Sequence, residues 1–66
     1  MNSLTNEQIA HAAKTLKGNT FKLWLLLRVG YSLGDIYRGN FMNERTAFSA
    51  LKTMIEAGFG PYGEEN

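Results

Sequence analysis

Asn19-Thr-Phe-Lys-Leu-Trp-Leu-Leu-Leu-Arg-Val-Gly30 carries apolar side chains at Phe21, Leu23, Trp24, Leu25, Leu26, Leu27 and Val29. At about 100° per residue they cover almost the whole circumference of a helix, interrupted only by Lys22 and Arg28. A helix that is apolar all round is normally buried, with other elements on several of its sides. Asn19 fits as its N-cap and Gly30 as a left-handed C′ residue. Roughly ten helical residues make about 15 Å, half of a bilayer's hydrocarbon core, so a membrane span is excluded. The segment reads as the hub of a small all-helical core.

The full chain of 66 residues allows one domain. A domain of this size buries only about 60 % of its unfolded surface, so its stability is modest or shared with a partner. Cysteine is absent, which removes disulfides, thiolate metal sites and cysteine nucleophiles, and fits a cytoplasmic setting. No charged n-region precedes an N-terminal apolar run, so no signal peptide is expected. The net charge is +1. Nucleic-acid binding would therefore need the basic residues gathered on one face. No repeat or low-complexity tract is visible.

On the N-terminal side, residues 1–4 read as a loose lead-in. Thr5-Asn-Glu-Gln8 has the pattern of a capping box. The helix it opens runs to about Leu16, with Ile9, Ala12, Ala13 and Leu16 on one narrow stripe. His11 falls opposite that stripe as a solvated residue, and no second histidine exists to complete a metal site. Lys17-Gly18 ends the helix. Lys14, Lys17 and Lys22 form a solvated edge.

On the C-terminal side, Ser32 with Asp35 three residues on is a second capping box, opening a short helix through Arg38. Leu33, Ile36 and Tyr37 share its inner face, with Asp35 and Arg38 outward. Gly39-Asn40 closes it. Phe41-Met42 plugs the core from the following turn, and Met42 is placed to staple onto Ala47. Asn43 caps a fourth helix, Glu44 to Ala57, that is divided lengthwise. Ala47, Phe48, Ala50, Leu51, Met54, Ile55 and Ala57 fill one half of its wheel. Arg45, Thr46, Ser49, Lys52, Thr53 and Glu56 fill the other. Gly58-Phe59 is a Schellman-type ending with the phenylalanine folded back. Gly60 to Asn66 is a glycine- and proline-broken acidic tail.

Catalysis finds little support. One histidine, one aspartate and no cysteine build no nucleophile–base–orienter set at these spacings. No phosphate-binding glycine loop and no metal-ligand cluster occur, so no enzyme, cofactor or metal is expected. Trp24 is the largest core filler, with an indole N–H that needs an acceptor. Tyr31, Tyr37 and Tyr62 are placed at the core rim, or as stacking surfaces for bases. Phe48 and Ile55, at i and i+7, form a shoulder of the apolar arc; they belong to the core or to an exposed partner-binding strip.

A short helix, a tight turn and a longer helix with one polar face have the layout of a helix-turn-helix. Arg45 suits bidentate contact to guanine, and Thr46 and Ser49 suit base edges or phosphates. Lys52 and Thr53 suit the backbone, Asn43 and the first-turn amides a phosphate, and Arg38 the other side of the groove. Solvation alone is the plain reading of the same polar face.

The chain also resembles the winged-helix branch of the helix-turn-helix families, over about residues 5–59. Ser32-Leu-Gly-Asp-Ile-Tyr-Arg38 matches a positioning helix. Asn43-Glu-Arg-Thr-Ala-Phe-Ser-Ala-Leu-Lys-Thr-Met-Ile-Glu-Ala-Gly-Phe59 matches a recognition helix leading toward a wing. Gly18-Asn-Thr-Phe-Lys-Leu-Trp-Leu-Leu-Leu27 is similar to the second helix in the DNA-binding part of phage and plasmid replication initiators. The chain departs from the pattern at Tyr37, where a small residue is usual, and at Phe41, where the turn usually has glycine. The wing is absent or vestigial.

The expectation is an all-α, small four-helix helix-turn-helix domain with helices at about 5–16, 20–29, 33–38 and 44–57 and a flexible tail, 60–66. The resemblance implies a cytoplasmic phage- or plasmid-type protein binding double-stranded DNA as a transcription, excision or replication accessory factor. A homodimer is expected, and no membrane partner. The alternative is a protein-binding module on the same frame, docking through Phe48 and Ile55 on a host regulatory protein or polymerase. A self-associating structural bundle is the third reading.

Overall fold

A computed structural model describes residues 4–62. They form four helices, α1 (Asn6–Thr15), α2 (Asn19–Arg28), α3 (Leu33–Arg38) and α4 (Glu44–Glu56), and no strand. The expected bounds agree to within a residue or two, as fraying helix ends allow. Among the described residues no helix is long and apolar enough to cross a membrane. The Cα radius of gyration is 10.9 Å. A compact domain of this length should have ~10.8 Å.

The starts of three helices are settled by local hydrogen bonds. At α1 the Thr5 hydroxyl accepts from the Gln8 N–H at 3.1 Å, and Gln8 Oε1 accepts from the Thr5 N–H at 3.1 Å. Ser32 and Asp35 repeat this reciprocal pair at α3, at 3.1 and 3.2 Å. At α4, Asn43 Oδ1 accepts from the Thr46 N–H at 2.8 Å. Each satisfies amides that a first turn leaves orphaned.

α2 begins differently from the expectation. Gly18, not Asn19, is its N-cap, and no side chain caps it. Gly18 has φ +56 and ψ −129, and the Thr20 N–H donates to the Lys17 carbonyl at 3.1 Å. These are the features of a type II′ turn, whose first central position favours glycine. The turn reverses the chain so tightly that Asn19 is already helical.

Three helix ends share one device. After α2, α3 and α4 a residue at positive φ (Gly30, Asn40, Gly58) is followed by an aromatic residue. The Tyr31, Phe41 and Phe59 N–H groups donate back to the Leu26, Ile36 and Met54 carbonyls at 3.0, 3.3 and 3.2 Å. Each is a Schellman closure, which swings the C″ side chain toward the helix it ends. Phe59 reaches the core and meets Trp24 edge-on at 6.3 Å, while Tyr31 and Phe41 meet each other at 5.2 Å.

The core joins Ala12 of α1 and its C-cap Leu16, Leu23, Trp24 and Leu27 of α2, and Ile36 of α3. Met42, Ala47, Ala50, Met54 and Phe59 complete it. α2 packs chiefly on α4, α1 on α2, and α3 on α4. Several expectations need correction. Ala13 is exposed, so the α1 stripe is only Ile9, Ala12 and Leu16. α2 is not buried all round: Phe21, Leu25 and Leu26 are half-covered and Val29 is 58 % exposed. Three neighbouring helices, one of six residues, are too little mass to enclose it. Ala57 is exposed too. Leu4 packs against the core rather than hanging loose, and residues 1–3 lie outside the described set. So do residues 63–66 of the expected flexible tail; within the rest of it, Gly60 is buried while Pro61 and Tyr62 are exposed.

Candidate nucleic-acid interface

The candidate face is the side of α4 turned away from the core. Ala47, Ala50 and Met54 are buried on the inner side. At about 100° per residue, Arg45, Lys52 and Glu56 point in nearly the opposite direction, with Ser49 beside them. All four are exposed, whereas Thr46 is half-buried at the edge. Arg45 and Lys52 stand two turns apart, about 10 Å along the axis.

Arg45, Thr46, Ser49 and Ala50 form one wall of a shallow groove of about 340 Å³, and Asn19 and Thr20 of α2 form the other. Its lining holds one guanidinium, three hydroxyls and an amide, and no carboxylate. That is a surface rich in hydrogen-bond donors with a single positive charge. No acidic side chain pairs with Arg45 or Lys52 among the described residues.

The remaining predicted site residues are partly engaged within the protein. Asn43 spends its side-chain oxygen on the Thr46 amide, so it fixes the start of α4. The Thr53 hydroxyl donates to the Ser49 carbonyl at 3.1 Å, one turn back. Arg38 is 77 % exposed, and its guanidinium folds along its own helix to Asp35 Oδ1 at 3.1 Å. It lies so close over Gly34 that a Cβ there would sit 3.3 Å from its nitrogens. The Asp35 carboxyl is held below its ordinary value of 3.8, first by the Ser32 backbone amide, then by the Ser32 hydroxyl and Arg38. The structure thus gathers Arg45, Thr46 and Ser49 at one groove, aligns Lys52 with them, and leaves Arg38 tied to α3.

Phe48 and Ile55 are 54 % and 46 % exposed. Of the two placements open to them, the structure takes the exposed one. α3 is about 9 Å long against about 20 Å for α4, so it can cover only part of that flank. Its Tyr37 ring stands 6.0 Å from Phe48.

Two contacts were hidden from sequence reasoning. Lys22 Nζ donates to the Phe41 carbonyl at 2.8 Å, tying α2 to the turn that launches α4. His11 is exposed as expected, yet its ring lies 5.8 Å from Phe59. Neither has a signal in local spacing, since each joins residues far apart in the chain. No protein family, no curated protein and no solved structure matches this chain.

Proposed function

We propose that the chain is a helix-turn-helix domain that binds duplex DNA, with α3 as the positioning helix and α4 laid in the major groove. The observation that carries this reading is the outer line of Arg45, Ser49 and Lys52, free of ion pairs among the described residues. The helix bearing it is anchored by three buried side chains on its other side. All seven lysines and arginines lie within the described residues, where only Glu7, Asp35, Glu44 and Glu56 oppose them. The helical body is therefore more basic than the whole-chain charge of +1 implies.

In this reading Arg45 reads a guanine edge, and Thr46 and Ser49 contact bases or the near phosphates. Lys52 and Arg38 meet the backbone, Arg38 by leaving Asp35. Asn43 acts by holding the first turn of α4 in place, and Thr53 borders the same face. A transcription, excision or replication accessory factor of the phage or plasmid type is the class that such a small reader suits.

Fluorescence anisotropy with labelled duplexes at several salt concentrations tests it. Arg45→Ala should cost about 1–3 kcal/mol and relax sequence preference, as loss of a bidentate base contact does. Lys52→Ala should weaken all sequences alike and lower the salt slope by about 1. Failure of any duplex to bind at low salt sinks the reading.

A further inference from the structure

Lys22 stands on the exposed side of α2, yet its ammonium reaches the Phe41 carbonyl at 2.8 Å. Phe41 lies in the turn between α3 and α4, two residues before Asn43, the N-cap of α4. The turn is shaped locally as well. Asn40 takes φ +60, and the Phe41 N–H donates to the Ile36 carbonyl at 3.3 Å. The Phe41 ring lies so near Gly39 that a Cβ there would fall 2.8 Å from it. These contacts join the turn to α3 only. The Lys22 hydrogen bond instead fastens it to α2, the helix on which α4 chiefly packs. On the same side, the Tyr31 ring beyond the end of α2 meets the Phe41 ring at 5.2 Å.

We propose that Lys22 is a positioning residue for the DNA contact of α4, holding the turn so that Arg45 enters the major groove at the angle a base contact needs. The role rests on the DNA-binding reading above. A bidentate contact tolerates misplacement of only about 0.5 Å and 10–20°. Arg45 follows Phe41 by four residues, so a shift of the Phe41 carbonyl is carried into the direction of its side chain. Asn43 fixes where α4 begins by accepting from the Thr46 amide at 2.8 Å. A cap within one helix leaves open how that helix is aimed relative to the rest of the domain. Lys22 supplies the outside reference, because its own backbone is part of α2 and its N–H donates to the Gly18 carbonyl at 3.2 Å. Its ammonium is turned onto the protein, so Lys22 acts through Arg45 and not by meeting a phosphate.

Fluorescence anisotropy of the intact chain tests the role, with one duplex selected from a random pool and one unrelated duplex, at several salt concentrations. Circular dichroism confirms that each variant stays helical. Lys22→Met keeps an unbranched stem of similar helix propensity and loses the donor, whereas Lys22→Arg keeps a donor. Lys22→Met should reduce the preference for the selected duplex about fivefold, the worth of one hydrogen bond, and leave the salt slope on the unrelated duplex unchanged. Lys22→Arg should retain the native preference. In an Arg45→Ala background, Lys22→Met should remove no further preference, because the two residues act as one unit. A salt slope lowered by about 1 in Lys22→Met would make Lys22 a direct phosphate contact and overturn the positioning role. So would an unmoved preference, a Lys22→Arg variant as impaired as Lys22→Met, or additive losses in the double variant. Each of these results sinks this role alone and leaves DNA binding standing. A chain that binds no duplex at low salt sinks the DNA reading and this role with it.

Discussion

α2 and α4 press against each other, yet they serve the core in opposite ways. α2 contributes bulk: Leu23, Trp24 and Leu27 are its buried residues, and Trp24 is 1 % exposed. α4 contributes clearance: two of its three buried residues are Ala47 and Ala50, at 0 % and 4 % exposure. Small side chains on one helix let the large ones of the other settle close to its backbone. The division has a consequence on the outside. With Ala47 and Ala50 beside Met54 on its inner face, α4 leaves two large apolar residues, Phe48 and Ile55, on the open flank. α2 has the reverse problem, more apolar residues than its neighbours can cover.

The bulk side of this contrast breaks with the largest effect. Trp24→Ala should remove about 3–5 kcal/mol, most of the stability of so small a domain, and thermal melts would read it as a lost or greatly lowered transition. Overfilling the clearance side comes next. Ala47→Leu should cost about 1–3 kcal/mol by forcing α2 and α4 apart, seen in denaturant melts as a lower midpoint with an unchanged slope. A midpoint at the native value would mean that the two helices are less tightly apposed than these burials require.

The outer surfaces sharpen the comparison with smaller effects. Asn43→Ala should cost about 1 kcal/mol by freeing the Thr46 amide at the start of α4. Amide exchange should quicken in that turn and leave α2 unchanged. The smallest effect concerns Asp35, whose carboxyl is held below 3.8 by its partners at Ser32 and Arg38. A lowered value in the folded chain means that its contribution is present above 3.8 and fades as pH falls through the lowered value. An NMR titration should place the Asp35 midpoint below 3.8, with the Ser32 amide losing protection beneath it. A midpoint at or above the ordinary value would remove the capping box from the account of α3.

Much of the fold was legible because its signals are short-range. Thr5 with Gln8, Ser32 with Asp35, Asn43, and Gly58-Phe59 each act through backbone groups within a few residues, and all take the expected form. The cap of α2 was misread because Asn19 has the chemistry of a cap while the preceding reversal demands the positive φ of Gly18. A turn of that kind depends on where α1 stops, and α1 stops at an extended Leu16 whose side chain is held in the core. At the candidate site, the outward placement of Arg45, Ser49 and Lys52 followed from periodicity alone. The groove they share with Asn19 and Thr20 did not, because it exists only once α2 lies alongside.

By itself, then, the order of residues determined the four helices, most of their ends and the polar side of α4, since helical periodicity and terminal hydrogen bonds are settled between near neighbours. Tertiary structure alone decided that Phe48 and Ile55 stay in solvent, that α2 is only partly covered outside its buried stripe, and that Lys22 and His11 find distant partners. Coverage depends on how much mass the other helices bring to each flank, and a six-residue α3 cannot span a thirteen-residue α4.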